Sequence, residues 1–142
     1  MKTTRFTLAL VALLAGTTRA QDTPVRTQPA PNLTVEAVLT RMVLDRVPQD
    51  TVATIPAPAG MDSLFLWTRV MGADPGTVIH HVWFHGDTQV ADVELTVGGS
   101  PWRTWSKKVI SADLTGAWKV EVRDAAGNVL QTVQFTVGAG IG

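Results

Sequence analysis

Apolar and polar residues alternate one by one through the C-terminal half of the chain. In "AWKVEVR", Trp118, Val120 and Val122 take turns with Lys119, Glu121 and Arg123. Side chains on a strand point to opposite faces in turn, so this pattern predicts a strand with one dry face and one wet face. The run Val129–Val137 repeats it, with Val129, Val133, Phe135 and Val137 expected to point inward. Between the two, "DAAGN" supplies Gly127 and Asn128, residues that tolerate the positive φ of a tight hairpin. Upstream of the Ala117–Arg123 run, further β-rich runs are expected at Leu64–Met71, Thr77–His85, Thr88–Val97 and Trp102–Ile110. Turn residues separate them at the spacing of a sandwich. Gly86-Asp87 suits a two-residue hairpin turn with Gly first, and Asp74-Pro75-Gly76 and Gly98-Gly99-Ser100-Pro101 mark two more corners.

The segment "LTVEAVLTRMVLDRV", Leu33 to Val47, has enough apolar residues for a helix. Its β-branched content and the stop at Pro48 favour one or two extended runs instead. No long helical period occurs downstream. The expected architecture is therefore all-β: an immunoglobulin-like antiparallel β-sandwich of about seven strands. With no cysteine in 142 residues, it must stand without the usual disulfide, and a lipid-modified cysteine anchor is excluded too.

The N-terminus changes the picture of where the chain works. Lys2 and Arg5 precede an apolar run from Phe6 to Ala15, and Thr18-Arg19-Ala20 offers small residues one and three places before a cut. This reads as a secretory signal peptide over residues 1–20, since a bilayer span needs about 20 apolar residues and the run is roughly half that. Residues 21–32, "QDTPVRTQPAPN", read as a Pro-rich flexible spacer, residues 33–138 as the sandwich domain, and residues 139–142 as a flexible tail. Cleavage after Ala20 leaves nine basic against twelve acidic residues, a net −3. That balance argues against nucleic-acid binding, which depends on a basic footprint. After cleavage no membrane span is expected, and the mature protein is expected to be periplasmic or secreted from a bacterium.

Three stretches, "LFLWTRVMGADPGTVIHHVWFHG", "VADVELTVGGSPWRTWSKKVI" and "GAWKVEVRDAAGNVL", carry a family resemblance. In order, they resemble the bacterial family known as domain of unknown function 2914, over roughly Leu33 to Val137. The most specific parts are His81-Val82-Trp83, the block Trp102-Arg103-Thr104-Trp105-Ser106, and Gly116-x-Trp118-x-Val120-Glu121-Val122. Two departures stand out: Arg46-Val47-Pro48 where Arg-Glu-Pro is common, and His85 where a second aromatic often follows Trp83-Phe84. The resemblance implies a β-sandwich in an exported or membrane-tethered bacterial protein. It brings no activity, cofactor or substrate.

Candidate chemistry is sparse. Residues three apart on a strand face opposite ways, so Trp102 is expected in the core, with Arg103 and Trp105 sharing the outer face. There the guanidinium could stack on an indole or donate to a carboxylate or sugar hydroxyl. His80 and His81 face opposite sides. His81 and His85 share a side but lie about 13 Å apart, too far to chelate one ion, so no metal site is expected. Asp92 and Glu94 are about 7 Å apart on one wet face, a spacing compatible with a carboxylate dyad but fully explained by solvation. Ser63, Ser100, Ser106 and Ser111 lack a nucleophile-elbow context, and no helix follows "VGGSP" to make a phosphate loop. No enzyme activity and no cofactor are expected. The expected role is a non-catalytic module that binds another exported or envelope protein. The alternative is a module that binds a glycan or envelope polymer through exposed tryptophan and arginine. The ligand-binding candidates are Arg103, Trp105, His81 and Trp83.

Overall fold

The computed structural model describes residues 32–56 and 61–138. The expected signal peptide, the spacer up to residue 31 and the tail 139–142 lie outside the described residues. In chain order the strands are β1 (Thr34–Thr40), β2 (Val43–Leu44), β3 (Val47–Pro48), β4 (Thr54–Ile55), β5 (Met61–Met71), β6 (Thr77–His85), β7 (Thr88–Val97), β8 (Trp102–Ser111), β9 (Gly116–Asp124) and β10 (Val129–Val137). Among the described residues seven strands run for seven residues or more and three are two-residue pieces. None of these residues forms a helix long and apolar enough to cross a membrane.

One sheet has the order β1-β5-β8 and the other β4-β10-β9-β6-β7. Every pairing between long strands is antiparallel; only β4 joins β10 in parallel. The sheets face each other across a core that draws Leu39, Leu64, Leu66, Val70 and Ile110 from the first, and Ile79, Trp83, Trp118, Val120, Val122, Phe135 and Val137 from the second. This is the expected immunoglobulin-like, all-β sandwich. Alternation put those residues inside, and their burial supplies the stability that no disulfide can.

The turns also form as their residues dictate. Gly86 has φ 58° in the two-residue link between His85 and Thr88. The 124–128 hairpin is held by Asp124, whose carboxylate accepts from the backbone N–H groups of Ala126 and Asn128. At the Gly98 corner a close approach is decisive: a Cβ there would lie 2.7 Å from the Trp102 ring.

One inward assignment fails. Val129 is 51% exposed, because the β9–β10 register slips between Val129 and Gln131 and the extra residue turns the strand's start outward. A second bulge, between Trp83 and Phe84, shifts the β6–β7 pairing in the same way.

Candidate functional site: the outer face of the three-stranded sheet

On β5, Leu64, Leu66, Thr68 and Val70 face the core, which leaves Phe65, Trp67 and Arg69 on the outside. On β8, Arg103, Trp105 and Lys107 point the same way, opposite the inward Ser106 and Ile110. The register then sets Trp67 directly across from Trp105 and Arg69 directly across from Arg103. On the far side of β5, Val38 of β1 pairs with Trp67, and Glu36 with Arg69. "WTR" on β5 is "RTW" on β8 read backwards, and antiparallel pairing lays such words on each other like for like.

A small hairpin covers part of this face. Asp45 and Arg46 join β2 to β3 with φ of 52° and 64°, a left-handed turn that glycine or asparagine adopts at far lower cost. The Trp67 indole N–H donates to the Arg46 carbonyl at 2.9 Å, and the Arg46 guanidinium donates to the Arg103 carbonyl at 3.3 Å while lying 5.5 Å from the Trp102 ring centroid. Thr40 and Asp50 are hydrogen-bonded at the hairpin's base, and Gln49 donates to the Val47 carbonyl at 3.0 Å. The Thr40 hydroxyl and the Arg41 N–H hold the Asp50 carboxyl below its ordinary value. Trp67 is thereby reduced to 5% exposure, while Trp105 beside it keeps 37%. Met42, Leu44 and Val47 on the hairpin are exposed as well.

The four predicted site residues do not share a surface. Arg103 and Trp105 stand on the outer face as expected, with Trp102 turned in against the core. His81 and Trp83 are 0% exposed between the sheets, so the expectation that they contact a ligand is corrected: both lie on the inward side of β6.

His81 belongs to a hydrogen-bonded chain that crosses the sandwich. The Trp83 indole N–H reaches the Ser106 hydroxyl at 3.2 Å, and that hydroxyl lies 2.7 Å from His81 Nδ1. On the other side His81 Nε2 lies 3.2 Å from the Thr68 hydroxyl, which donates to the Thr104 carbonyl at 3.0 Å. A hydroxyl has one proton to give. Thr68 spends its proton on Thr104, so Nε2 carries the imidazole hydrogen and Nδ1 accepts from Ser106. Every group in the chain is satisfied only with a neutral imidazole, and burial pushes the His81 pKa down to about 3.

Of the remaining candidates, His80, Asp92 and Glu94 lie on the outer face of the five-stranded sheet. Asp92 pairs with His80 at 2.7 Å rather than standing free beside Glu94. Glu121 takes Lys119 at 3.2 Å and Arg123 at 2.6 Å. Burial alone would raise its pKa, but those two cations outweigh it and hold the carboxyl below its usual value. Among the described residues no group of three or more His, Asp or Glu side chains is placed to hold a metal ion.

Sequence reasoning missed Arg46, Arg69 and Trp67 as parts of the outer face. The reversed words "WTR" and "RTW" were the available signal for two of them. Nothing in the local sequence announced that Arg46 would take a left-handed conformation.

Comparison with known proteins adds little beyond family. Thirty-nine chains of solved structure match. One is the crystal structure of a beta-glucosidase from Listeria innocua in complex with isofagomine, with 9% identity and a TM-score of 0.40. The match covers 75% of this chain and only 16% of that one, and likeness at this level carries no argument about fold or activity. No curated protein matches the chain. The sequence model of the family described as "Protein of unknown function (DUF2914)" matches residues 76–137, from the turn before β6 to the end of β10, and takes in the Trp102–Ser106 block. Over those residues the match supports the resemblance to that family.

Proposed function

We propose that this protein is an exported, non-catalytic binding module that docks another protein of the bacterial cell envelope on the outer face of its three-stranded sheet. The observation that carries the reading is the composition of that face. Trp105 keeps 37% of its surface exposed beside Arg103, and Met42, Leu44 and Val47 are exposed on the hairpin next to it. Tryptophan, methionine and arginine are enriched where proteins bind one another, and tryptophan and arginine dominate binding hot spots. The non-catalytic part is supported by the position of Ser106 and His81: their contact is buried between the sheets, out of reach of a substrate.

A glycan-binding reading has one observation in its favour, the half-open Trp105 indole flanked by Arg103 and Lys107. The exposed aliphatic side chains favour a protein instead, because they offer a sugar ring nothing to stack on.

The test is site-specific photocross-linking in the producing cell, with a benzophenone side chain in place of Trp105 and, as control, in place of Glu94 on the other sheet. A protein adduct from position 105 that is absent from position 94 and lost with Arg103→Glu is the expected result. A glycan adduct would establish the alternative, and the absence of any adduct from position 105 refutes both.

A further inference from the structure

Arg69 and Arg103 occupy directly opposite positions on the outer face. Side chains so placed start about 5 Å apart, and like charges there repel. Among the described residues neither arginine makes an ion pair, and Glu36, the register partner of Arg69 on β1, does not close on it either. Arg69 also carries a second cost: its Nε is buried with no hydrogen-bond acceptor among the described residues. A third guanidinium, that of Arg46, is brought to the same end of the face by its bond to the Arg103 carbonyl.

Repulsion between two facing guanidinium groups has a direct remedy, an acceptor anion held between their forks. We infer that Arg69 and Arg103 form a carboxylate-binding site that takes the Asp or Glu side chains of an acidic segment in the partner protein. The inference rests on the docking reading above and deepens it. Guanidinium presents paired N–H groups that match a carboxylate in a bidentate way, so each arginine can take one oxygen pair or both can share one carboxylate. The wider face agrees in sign: Arg46, Arg69, Arg103 and Lys107 outnumber Glu36 and Asp45 on a chain whose formal charge is zero overall. Two copies of such a face repel, which favours a partner of different composition over self-association. Phosphate or sulfate would also fit the forks. The exposed apolar residues alongside select a peptide.

The test is an NMR titration of the protein at about 50 mM salt, where screening is modest, with an acetylated, amidated hexaglutamate peptide. The arginine Nε–H signals are the readout. The Arg69 and Arg103 signals are expected to shift, and Arg103→Gln or Arg103→Lys to weaken binding about tenfold or more, since lysine keeps the charge but loses the fork. Lys119→Gln on the other sheet should leave binding unchanged. Without peptide, Arg103→Gln should raise the urea midpoint, because it removes the repulsion; an arginine retained for structure would lower it. Silent Arg69 and Arg103 signals, or sodium sulfate shifting them at concentrations where the peptide does not, overturns the inference. If a cross-link from position 105 persists while the arginines stay silent, this inference falls and the docking reading stands. If no cross-link forms, the docking reading falls and takes the peptide partner with it.

Discussion

Acid should unfold this protein through one residue. His81 has a pKa of about 3 in the folded chain against 6.5 for a free imidazole, and its side chain is wholly buried. The unfolded state therefore takes up a proton that the folded state refuses. Stability is fully present above pH 6.5, and it falls as pH drops from there toward 3, at about 1.4 kcal/mol per unit. Between pH 7 and pH 5 the loss comes to about 2 kcal/mol, and by pH 3 to about 4 kcal/mol, close to the lower end of a small domain's whole margin. The upper part of that window belongs to histidine. Asp50 and Glu121 also have lowered values in the fold, so their contributions are lost in the same direction, but their unfolded values of 3.8 and 4.5 confine that loss to more acid solution. The assay is urea unfolding at steps from pH 7 to pH 5 in a His80→Gln, His85→Gln background, which leaves His81 as the sole imidazole. Long-range nitrogen–proton correlations at pH 5 should still show a neutral ring protonated on Nε2. A flat stability profile over this range, or a ring protonated on both nitrogens at pH 5 in the folded state, would refute the reasoning.

Two further perturbations probe other parts of the fold. Trp118 is 2% exposed and stacks on Phe135 with ring centroids 5.7 Å apart, so Trp118→Ala should cost about 3–5 kcal/mol in chemical unfolding; an unchanged midpoint would show that the inward face of β9 is misassigned. Replacing Asp45-Arg46 with Asn-Gly removes two strained left-handed residues and should stabilise the free protein by about 1 kcal/mol, read by thermal unfolding, while weakening the cross-link from position 105. A less stable Asn-Gly variant would mean that the Arg46 guanidinium contributes more to the hairpin than its backbone costs.

Much of the fold was legible because alternation is local. Trp118, Val120 and Val122 announce their face within seven residues, and glycine-bearing corners end the runs, so all six predicted C-terminal strands lie where expected. What escaped was non-local. The two-residue strand β4 has no pattern of its own, and it exists only because β10 offers it a parallel edge. Val129 was misassigned because a bulge resets the alternation, and nothing in "GNVLQT" marks it. At the site, Arg103 and Trp105 could be placed outward from strand geometry. His81 and Trp83 could not be recognised as interior from one strand's pattern, since their satisfaction depends on Ser106, Thr68 and Thr104 from two other strands.

The chain through Trp83, Ser106, His81 and Thr68 ties the two sheets together across the core, a task that a cystine performs in many immunoglobulin domains. The substitution changes the chemical currency of the link. A cystine answers to the thiol–disulfide poise of its surroundings and opens under a sufficiently reducing buffer. This link contains no redox couple, so reductants and oxidants leave it alone, and the domain needs no oxidase or isomerase to complete its core. It reassembles at the speed of side-chain rotation rather than of covalent exchange, and the condition that governs it is proton activity in place of electron potential.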